Sequence, residues 1–114
     1  MALKEDVQQF LSDFKQKAKV FGIVYYPRQI STDTLVALGI TPEMRTEYLM
    51  NLTMTDYYKG PTKDENPIRP EFYEFGLTIK GQEVYIKLSL GNFSKSPHCM
   101  SFHTSMHPIK YPLK

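Results

Sequence analysis

The chain has 114 residues, a formal net charge of +2 and one cysteine, Cys99. This length predicts a single domain over residues 1–114, and a chain of this size buries enough apolar surface to fold without disulfides. One cysteine excludes an internal disulfide and favours a reducing compartment, and no apolar run approaches the ~18 residues needed to cross a membrane. Because no signal-peptide pattern is present either, we expect a cytoplasmic protein without a membrane partner.

The charged residues are unevenly distributed. From Val84 to Lys114 there is no Asp or Glu, whereas four lysines and all three histidines lie in this segment. A basic segment of this kind is typical of a surface that binds an anionic partner, although a chance excess of surface lysine explains it equally well.

Three helices are predicted in the first half of the chain. Residues 4–19 carry apolar side chains at helical spacing, with acids in the first turn and lysines in the last. A short helix over residues 31–38 would end at Gly39, and Thr41 followed by Pro42 is a helix start that predicts a third helix over residues 42–52. Between the first two helices, residues 21–26 predict a short strand that Pro27 closes.

A three-stranded antiparallel meander is predicted in the second half. Residues 71–79, 81–90 and 99–103 alternate apolar and polar side chains, and Lys80-Gly81 forms the first tight turn. Residues 53–70 contain several Pro and Gly breakers and predict a long loop, while the tail from Met106 is expected to be irregular. Helices followed by strands predict an α+β fold with the helices on one face of the sheet.

The alternation in the strands also predicts a polar face on the other side of the sheet. Within residues 81–90, Tyr85 and Lys87 alternate with apolar residues and so point to the polar side of the strand. Lys59, in the predicted loop over residues 53–70, is expected to reach the same face. This exposed face is predicted to carry Glu74, Tyr85, Lys87, Ser89, Cys99, Ser101 and His103. Met100 and Phe102 are predicted on the apolar face.

These side chains suit the cleavage of RNA by its own 2′-hydroxyl, a reaction that needs no metal. An imidazole exchanges a proton near neutral pH, an ammonium stabilises a phosphate that gains negative charge, and a tyrosine stacks on a base or donates a hydrogen bond. The alternative that the residues leave open is a solvated polar face without catalysis. Metal binding is not expected, because the spacing of His98, Cys99, His103 and His107 fits none of the paired patterns of structural zinc sites.

Four motifs, spread over residues 49–104, resemble the MqsR family of bacterial toxins. They are Asp56-Tyr57-Tyr58-Lys59-Gly60-Pro61, Phe72-Tyr73-Glu74-Phe75-Gly76, Gly81-Gln82-Glu83-Val84-Tyr85-Ile86-Lys87 and Ser101-Phe102-His103. The resemblance implies a RelE-like (barnase-like) α+β fold, and the toxin of a type II toxin–antitoxin pair that cleaves mRNA without a metal.

The resemblance also implies roles for individual residues. Lys59, Tyr85, Lys87 and His103 are expected to be catalytic, although His103 stands where well-known members have lysine. Tyr58, Glu74 and Ser101 are expected to contact the substrate. The implied partners are single-stranded mRNA and a cognate antitoxin protein, and no cofactor is implied. Two alternatives stay open: a non-catalytic module that binds RNA or protein through the same face, and a domain whose sheet packs into a homodimer.

Overall fold

The computed structural model describes residues 2–66, 68, 70–91 and 95–114. Three helices come first, α1 (Lys4–Phe21), α2 (Gln29–Leu38) and α3 (Pro42–Met50), with a two-residue strand β1 (Val24–Tyr25) between α1 and α2. A single 3₁₀ turn (Met54–Asp56) then leads into four strands, β2 (Tyr57–Thr62), β3 (Phe72–Ile79), β4 (Gln82–Ser89) and β5 (His98–Thr104). Among the described helices, none is long and apolar enough to cross a membrane.

The fold is α+β, with the three helices packed against a five-stranded mixed sheet. The strand order is β1-β5-β4-β3-β2, and β2 to β5 pair antiparallel. Val24 and Tyr25 of β1 pair parallel with His98 and Cys99 of β5. The predicted meander of β3, β4 and β5 is therefore confirmed, and the strand predicted over residues 21–26 is present as the shorter β1. The purely antiparallel sheet was wrong, because β1 pairs parallel with β5, and β2 was not predicted.

One face of the sheet holds the hydrophobic core. Phe10 of α1 stacks on Tyr73 of β3 with ring centroids 4.1 Å apart, and the same ring lies 6.0 Å from Phe75. Almost completely buried side chains from the helical layer and from the sheet form this core: Val7, Phe14, Leu49, Leu52, Tyr57, Phe75, Val84, Ile86, Leu88 and Phe102. Burying side chains of this size stabilises the fold by about 1.5–3 kcal/mol each relative to leaving them exposed.

Strand β2 was missed by the sequence prediction, which placed residues 53–70 in one loop. Tyr57 pairs with Phe75 and Lys59 pairs with Glu74, with Tyr58 as the extra residue of a bulge between them. β2 is the edge strand of the sheet, and an edge strand tolerates Pro61 because its missing N–H leaves no partner unpaired there. Tyr57 anchors the strand, because its hydroxyl donates to the Gly60 carbonyl at 2.6 Å and accepts from the Ala2 amide at 3.2 Å.

A bulge in β5 corrects the predicted position of Cys99. Lys87 pairs with Ser101, but the next residue of β4, Leu88, pairs with Cys99, so Met100 is an extra residue in β5. The insertion shifts the alternation by one, and Cys99 therefore joins the hydrophobic core instead of the polar face. Burial raises the pKa of its thiol to about 12.

The opposite face of the sheet is less exposed than predicted. Glu74, Ser89 and Ser101 are all buried. Part of the cover is the C-terminal tail, whose Ile109 amide and Tyr111 hydroxyl donate to the two carboxylate oxygens of Glu83 at 2.8 and 2.9 Å. The tail has no regular secondary structure, as predicted, but it is packed on the sheet.

Gly76 is the position of β3 that permits this packing. A Cβ atom at Gly76 would lie 2.6 Å from the Tyr111 hydroxyl oxygen and 2.7 Å from Cδ1 of Ile109. Real Cβ atoms essentially never make contacts that short, so a larger residue at this position would push the ends of the Tyr111 and Ile109 side chains away from the strand.

Candidate active site

A cleft of about 220 Å³ opens on the polar face of the sheet, between strands β2 to β5 and the tail. Five of the residues that the sequence assigns to the site line it: Tyr58, Lys59, Glu74, Tyr85 and His103. The tail supplies the rest of the wall with Ser105, Met106, His107, Pro108 and Ile109. Residues from four strands and the tail thus converge on one concave surface.

Strand register explains why the predicted residues meet. Lys59 of β2 pairs with Glu74 of β3, and Tyr85 of β4 pairs with His103 of β5. Directly paired residues project to the same side of a sheet, with their Cβ atoms ~5 Å apart. Tyr85 stands opposite Gly76, and the absence of a side chain at Gly76 leaves room above β3 for the tail.

Glu74 and Tyr85 form the most buried polar pair of the cleft. The Tyr85 hydroxyl donates a short hydrogen bond to Oε1 of Glu74, whose side chain is 8% exposed. Burial raises the pKa of Tyr85 strongly, and the hydrogen bond to Glu74 and the negative charge of Glu74 raise it further. Tyr85 therefore stays protonated at neutral pH and acts as a permanent hydrogen-bond donor to Oε1.

The second oxygen of Glu74 has no hydrogen-bond partner within the described part of the chain. Oε2 is buried, and no described residue donates a hydrogen bond to it. The Lys59 ammonium lies 4.0 Å away, which is close enough for an ion pair but too long for a hydrogen bond. The Lys59 side chain is 59% exposed, so its charge is available to a ligand as well as to Glu74.

His103 lies on the other side of Tyr85. Their rings are 5.2 Å apart between centroids and tilted by 38°. Nδ1 of His103 lies 3.0 Å from the Thr104 carbonyl oxygen, and since a carbonyl can only accept, Nδ1 carries a hydrogen. This bond fixes the tautomer, so Nε2 of the neutral ring is the nitrogen that can accept a proton from a ligand.

Lys87 and Ser101 share the polar face but do not line the cleft. They pair with each other across β4 and β5, and the Lys87 ammonium lies 3.9 Å from the centroid of the Phe72 ring. Lys87 is also the cross-strand neighbour of Glu74, so its charge stands beside the cleft, towards the end of β4. Their predicted catalytic and substrate-binding roles remain predictions.

The third histidine, His98, lies outside the cleft. Its Nδ1 is 2.9 Å from the Tyr26 hydroxyl, and it pairs with Ser89 on β4. Burial lowers the pKa of His98, and the positive charge of Lys17 lowers it further. His98 is thus held in its neutral form by its surroundings, in a structural hydrogen bond.

The wall that the tail forms could hardly be predicted from the sequence. Its residues follow no helical or strand periodicity, and the only signal was the absence of Asp and Glu from residues 84–114. Glu83 and its partner Ile109 are 26 residues apart in the sequence, and a contact over that separation leaves no local sequence pattern.

A second and larger cleft, of about 630 Å³, lies between α1 and the neighbouring ends of β2 and β3. Its rim carries Asp6, Asp13 and Glu71, and none of the predicted site residues lines it. Across the residues that the structure describes, no group of three or more His, Cys, Asp or Glu side chains is arranged to hold a metal ion.

Comparisons of the chain with protein-family models, with curated proteins and with solved structures find no match. The function of the polar cleft is therefore inferred from its own geometry.

Proposed function

We propose that this chain is an endoribonuclease that cuts single-stranded mRNA through the 2′-hydroxyl of the RNA itself. The observation that carries the proposal is the convergence, in one cleft, of an ammonium (Lys59), a carboxylate (Glu74) and an imidazole (His103) around the Tyr85 ring. This set supplies the charge and the proton-transfer groups of the reaction without a metal ligand set.

In this reaction the 2′-oxygen attacks the adjacent phosphorus. The 2′-O–P bond forms, the P–O5′ bond breaks, the 2′-oxygen loses its proton and the departing 5′-oxygen gains one. The products are a 2′,3′-cyclic phosphate and a 5′-hydroxyl. Nε2 of His103 would carry one of these two proton transfers, because Nδ1 is engaged with the Thr104 carbonyl, and solvent water would carry the other.

The remaining residues would position the RNA and stabilise the transition state. Lys59 would stabilise the negative charge that grows on the phosphate oxygens, and the exposed fraction of its side chain leaves it accessible. Tyr58, half-buried on the cleft wall, would stack on a base, and Lys87, beside the cleft, would hold a neighbouring phosphate.

The position of the cleft relative to the helices fits a RelE-like toxin. The helices pack on one face of the sheet and the candidate site lies on the other, which is the arrangement that the resemblance to the MqsR family implies. In this proposal the natural partner of the chain is a cognate antitoxin protein that neutralises it.

The tail favours a second candidate function. Ile109 and Tyr111 cover β3 at Gly76, so part of the polar face is closed to a long RNA strand. A non-catalytic module that binds RNA or protein through the remaining open surface would need no more than the exposed part of the cleft.

Incubation of the purified chain with mixed-sequence single-stranded RNA in excess chelator separates the two functions. The ribonuclease proposal predicts cleavage with 2′,3′-cyclic phosphate termini, and no cleavage of a DNA strand of the same sequence. Tight RNA binding without cleavage, together with normal growth of cells that express the chain, would favour the binding module instead.

A further inference from the structure

Oε2 of Glu74 has no part in the proton-transfer scheme of the proposed function. It belongs to a side chain that is 8% exposed and lines the cleft; the oxygen itself is buried and has no hydrogen-bond partner among the described residues. Leaving a buried charged acceptor unpaired is costly, so a native protein keeps such an atom where something else supplies the hydrogen.

The surroundings of Oε2 restrict what the ligand can be. Tyr85 occupies Oε1 and stays protonated, so it fixes the carboxylate and leaves Oε2 as the free acceptor. The Lys59 ammonium stands 4.0 Å from Oε2. A ligand that satisfies both must offer a hydrogen-bond donor and an anionic acceptor side by side.

Ribose 3′-phosphate has this pair of groups on adjacent carbons. The 2′-hydroxyl donates one hydrogen bond, and the 3′-phosphate oxygens accept from an ammonium. DNA has the phosphate but lacks the hydroxyl, which is the group by which proteins distinguish the two nucleic acids. A cleft of about 220 Å³ is below the ~300–1,000 Å³ of sites for drug-sized ligands, and so suits a sugar-phosphate fragment.

We infer that Oε2 of Glu74 and Nζ of Lys59 together form a ribose 2′-hydroxyl/3′-phosphate recognition site, and that this site selects RNA over DNA. The inference rests on the proposed function in taking RNA as the ligand. It adds a specific role for Glu74, which accepts the hydrogen bond of the 2′-hydroxyl and so places the attacking oxygen next to the phosphate.

The test uses nucleoside 3′-monophosphates, which carry both groups but have no 5′-leaving group and so cannot be cleaved. We expect the parent chain to bind ribonucleoside 3′-monophosphates about 10- to 100-fold more tightly than the 2′-deoxy and 2′-fluoro analogues, as for the loss of one hydrogen bond to a charged group. The 2′-fluoro sugar can accept but cannot donate, so it isolates the donor. Titration followed by NMR or calorimetry gives the dissociation constants for all four bases.

Glu74→Met tests the acceptor. The methionine side chain has nearly the length of glutamate but no oxygen, whereas a glutamine could donate to the Tyr85 hydroxyl and keep its amide oxygen at the place of Oε2. With methionine the preference for the 2′-hydroxyl should disappear, whereas the exposed acid variant Glu65→Met should keep it. If Glu74→Met fails to fold, the three sugars on the parent chain still decide the question.

Equal binding of the ribo and deoxy compounds to the parent chain would overturn the inference, and so would undetectable binding at millimolar ligand or a preference that survives in Glu74→Met. These results are independent of cleavage. If the chain shows the Glu74-dependent preference but cuts no RNA, the proposed ribonuclease activity is wrong and the recognition site stands. If it cuts RNA without the preference, the ribonuclease activity stands and the recognition site is wrong.

Discussion

Glu74 carries a charge in a place where the fold gives it few partners. It lies in β3, between β2 and β4, and the surrounding residues shield it almost completely from solvent. Burying a carboxylate is expensive unless it is paired, and here the pairing consists of the Tyr85 hydroxyl and a long contact with Lys59. The Tyr85 hydroxyl is therefore the group on which the stability of the buried carboxylate depends most.

Replacing Tyr85 by Phe should expose that dependence. The substitution keeps the ring and removes only the hydroxyl, which leaves both oxygens of Glu74 without a hydrogen bond. We expect the free energy of unfolding in urea at pH 7 to fall by about 1–3 kcal/mol, the cost of an unsatisfied buried polar group.

Tyr58→Phe is the matched control, because Tyr58 lines the same cleft and its hydroxyl has no hydrogen bond to any residue that the structure describes. Its unfolding free energy should stay within about 0.5 kcal/mol of the parent value. Equal losses in the two variants would show that the Tyr85–Glu74 bond contributes nothing specific.

At the scale of elements, the sequence predicted those structures whose signals are local. The three helices and strands β3 and β4 follow from periodicity and turn residues, and they hold Glu74 and Tyr85 on one face. Strand β2 was missed because Gly60 and Pro61 are breakers, whereas the pairing of Tyr57 with Phe75 is a tertiary effect. The bulge at Met100 was also invisible in the alternation, which is why Cys99 was predicted on the wrong face.

The tail is the element whose attachment shapes the cleft. One carboxylate, Glu83, receives hydrogen bonds from both Ile109 and Tyr111, and no other polar contact of these two residues to the sheet is seen in the described part of the chain. The wall formed by residues 105–109 is thus held at its far end by a single side chain.

Glu83→Gln should loosen the tail. The amide oxygen of glutamine can still accept from the Ile109 amide, and its NH₂ group can donate to the Tyr111 hydroxyl oxygen, but neither bond then has the negative charge that strengthens it in the parent chain. We expect trypsin to cleave after the exposed Lys110 several-fold faster than in the parent chain, because cleavage there requires the tail to detach. The control Glu65→Gln should digest at the parent rate. An unchanged rate in Glu83→Gln would mean that apolar packing of Ile109 on Gly76 holds the tail by itself.

At the scale of the whole molecule, the core and the candidate site occupy opposite faces of one sheet. Phe75 and Glu74 are neighbours in sequence but lie on different sides of β3, one in the core and one in the cleft. Substitutions in the cleft can therefore change ligand binding without removing core contacts, whereas Phe75→Ala should cost about 3–5 kcal/mol of stability.

Alkaline pH should destabilise the whole fold. Burial raises the pKa of Cys99 to about 12 from an ordinary value of 9.0, and burial, with Glu83 as hydrogen-bond partner, raises that of Tyr111 to about 12 from 10.0. The pKa values of Tyr25, Tyr73 and Tyr85 are raised as well, in each case mainly by burial.

A raised pKa in the folded state favours the protonated form there, so its contribution to stability is complete below the pKa of the unfolded chain. As the pH rises above about 9, the unfolded chain ionises first, and stability falls until the folded groups ionise. Because these groups stay largely protonated in both states below pH 8.5, they should leave the urea midpoint of unfolding nearly constant from pH 7 to 8.5. The midpoint should then drop steeply between pH 9 and 11. A midpoint that stays level through pH 11 would contradict the burial of these phenols and of the thiol.

The central claim is that the cleft cuts RNA and that His103 transfers a proton in the reaction. The most direct measurement is the single-turnover rate of cleavage of a single-stranded RNA, in chelator, by the parent chain, by His103→Ala and by the remote surface variant Lys4→Ala. We expect Lys4→Ala to match the parent and His103→Ala to be slower by about 10²–10⁴-fold, with the unfolding midpoints of all three alike. Cleavage by His103→Ala at the parent rate, or no cleavage by the parent chain, would contradict the account.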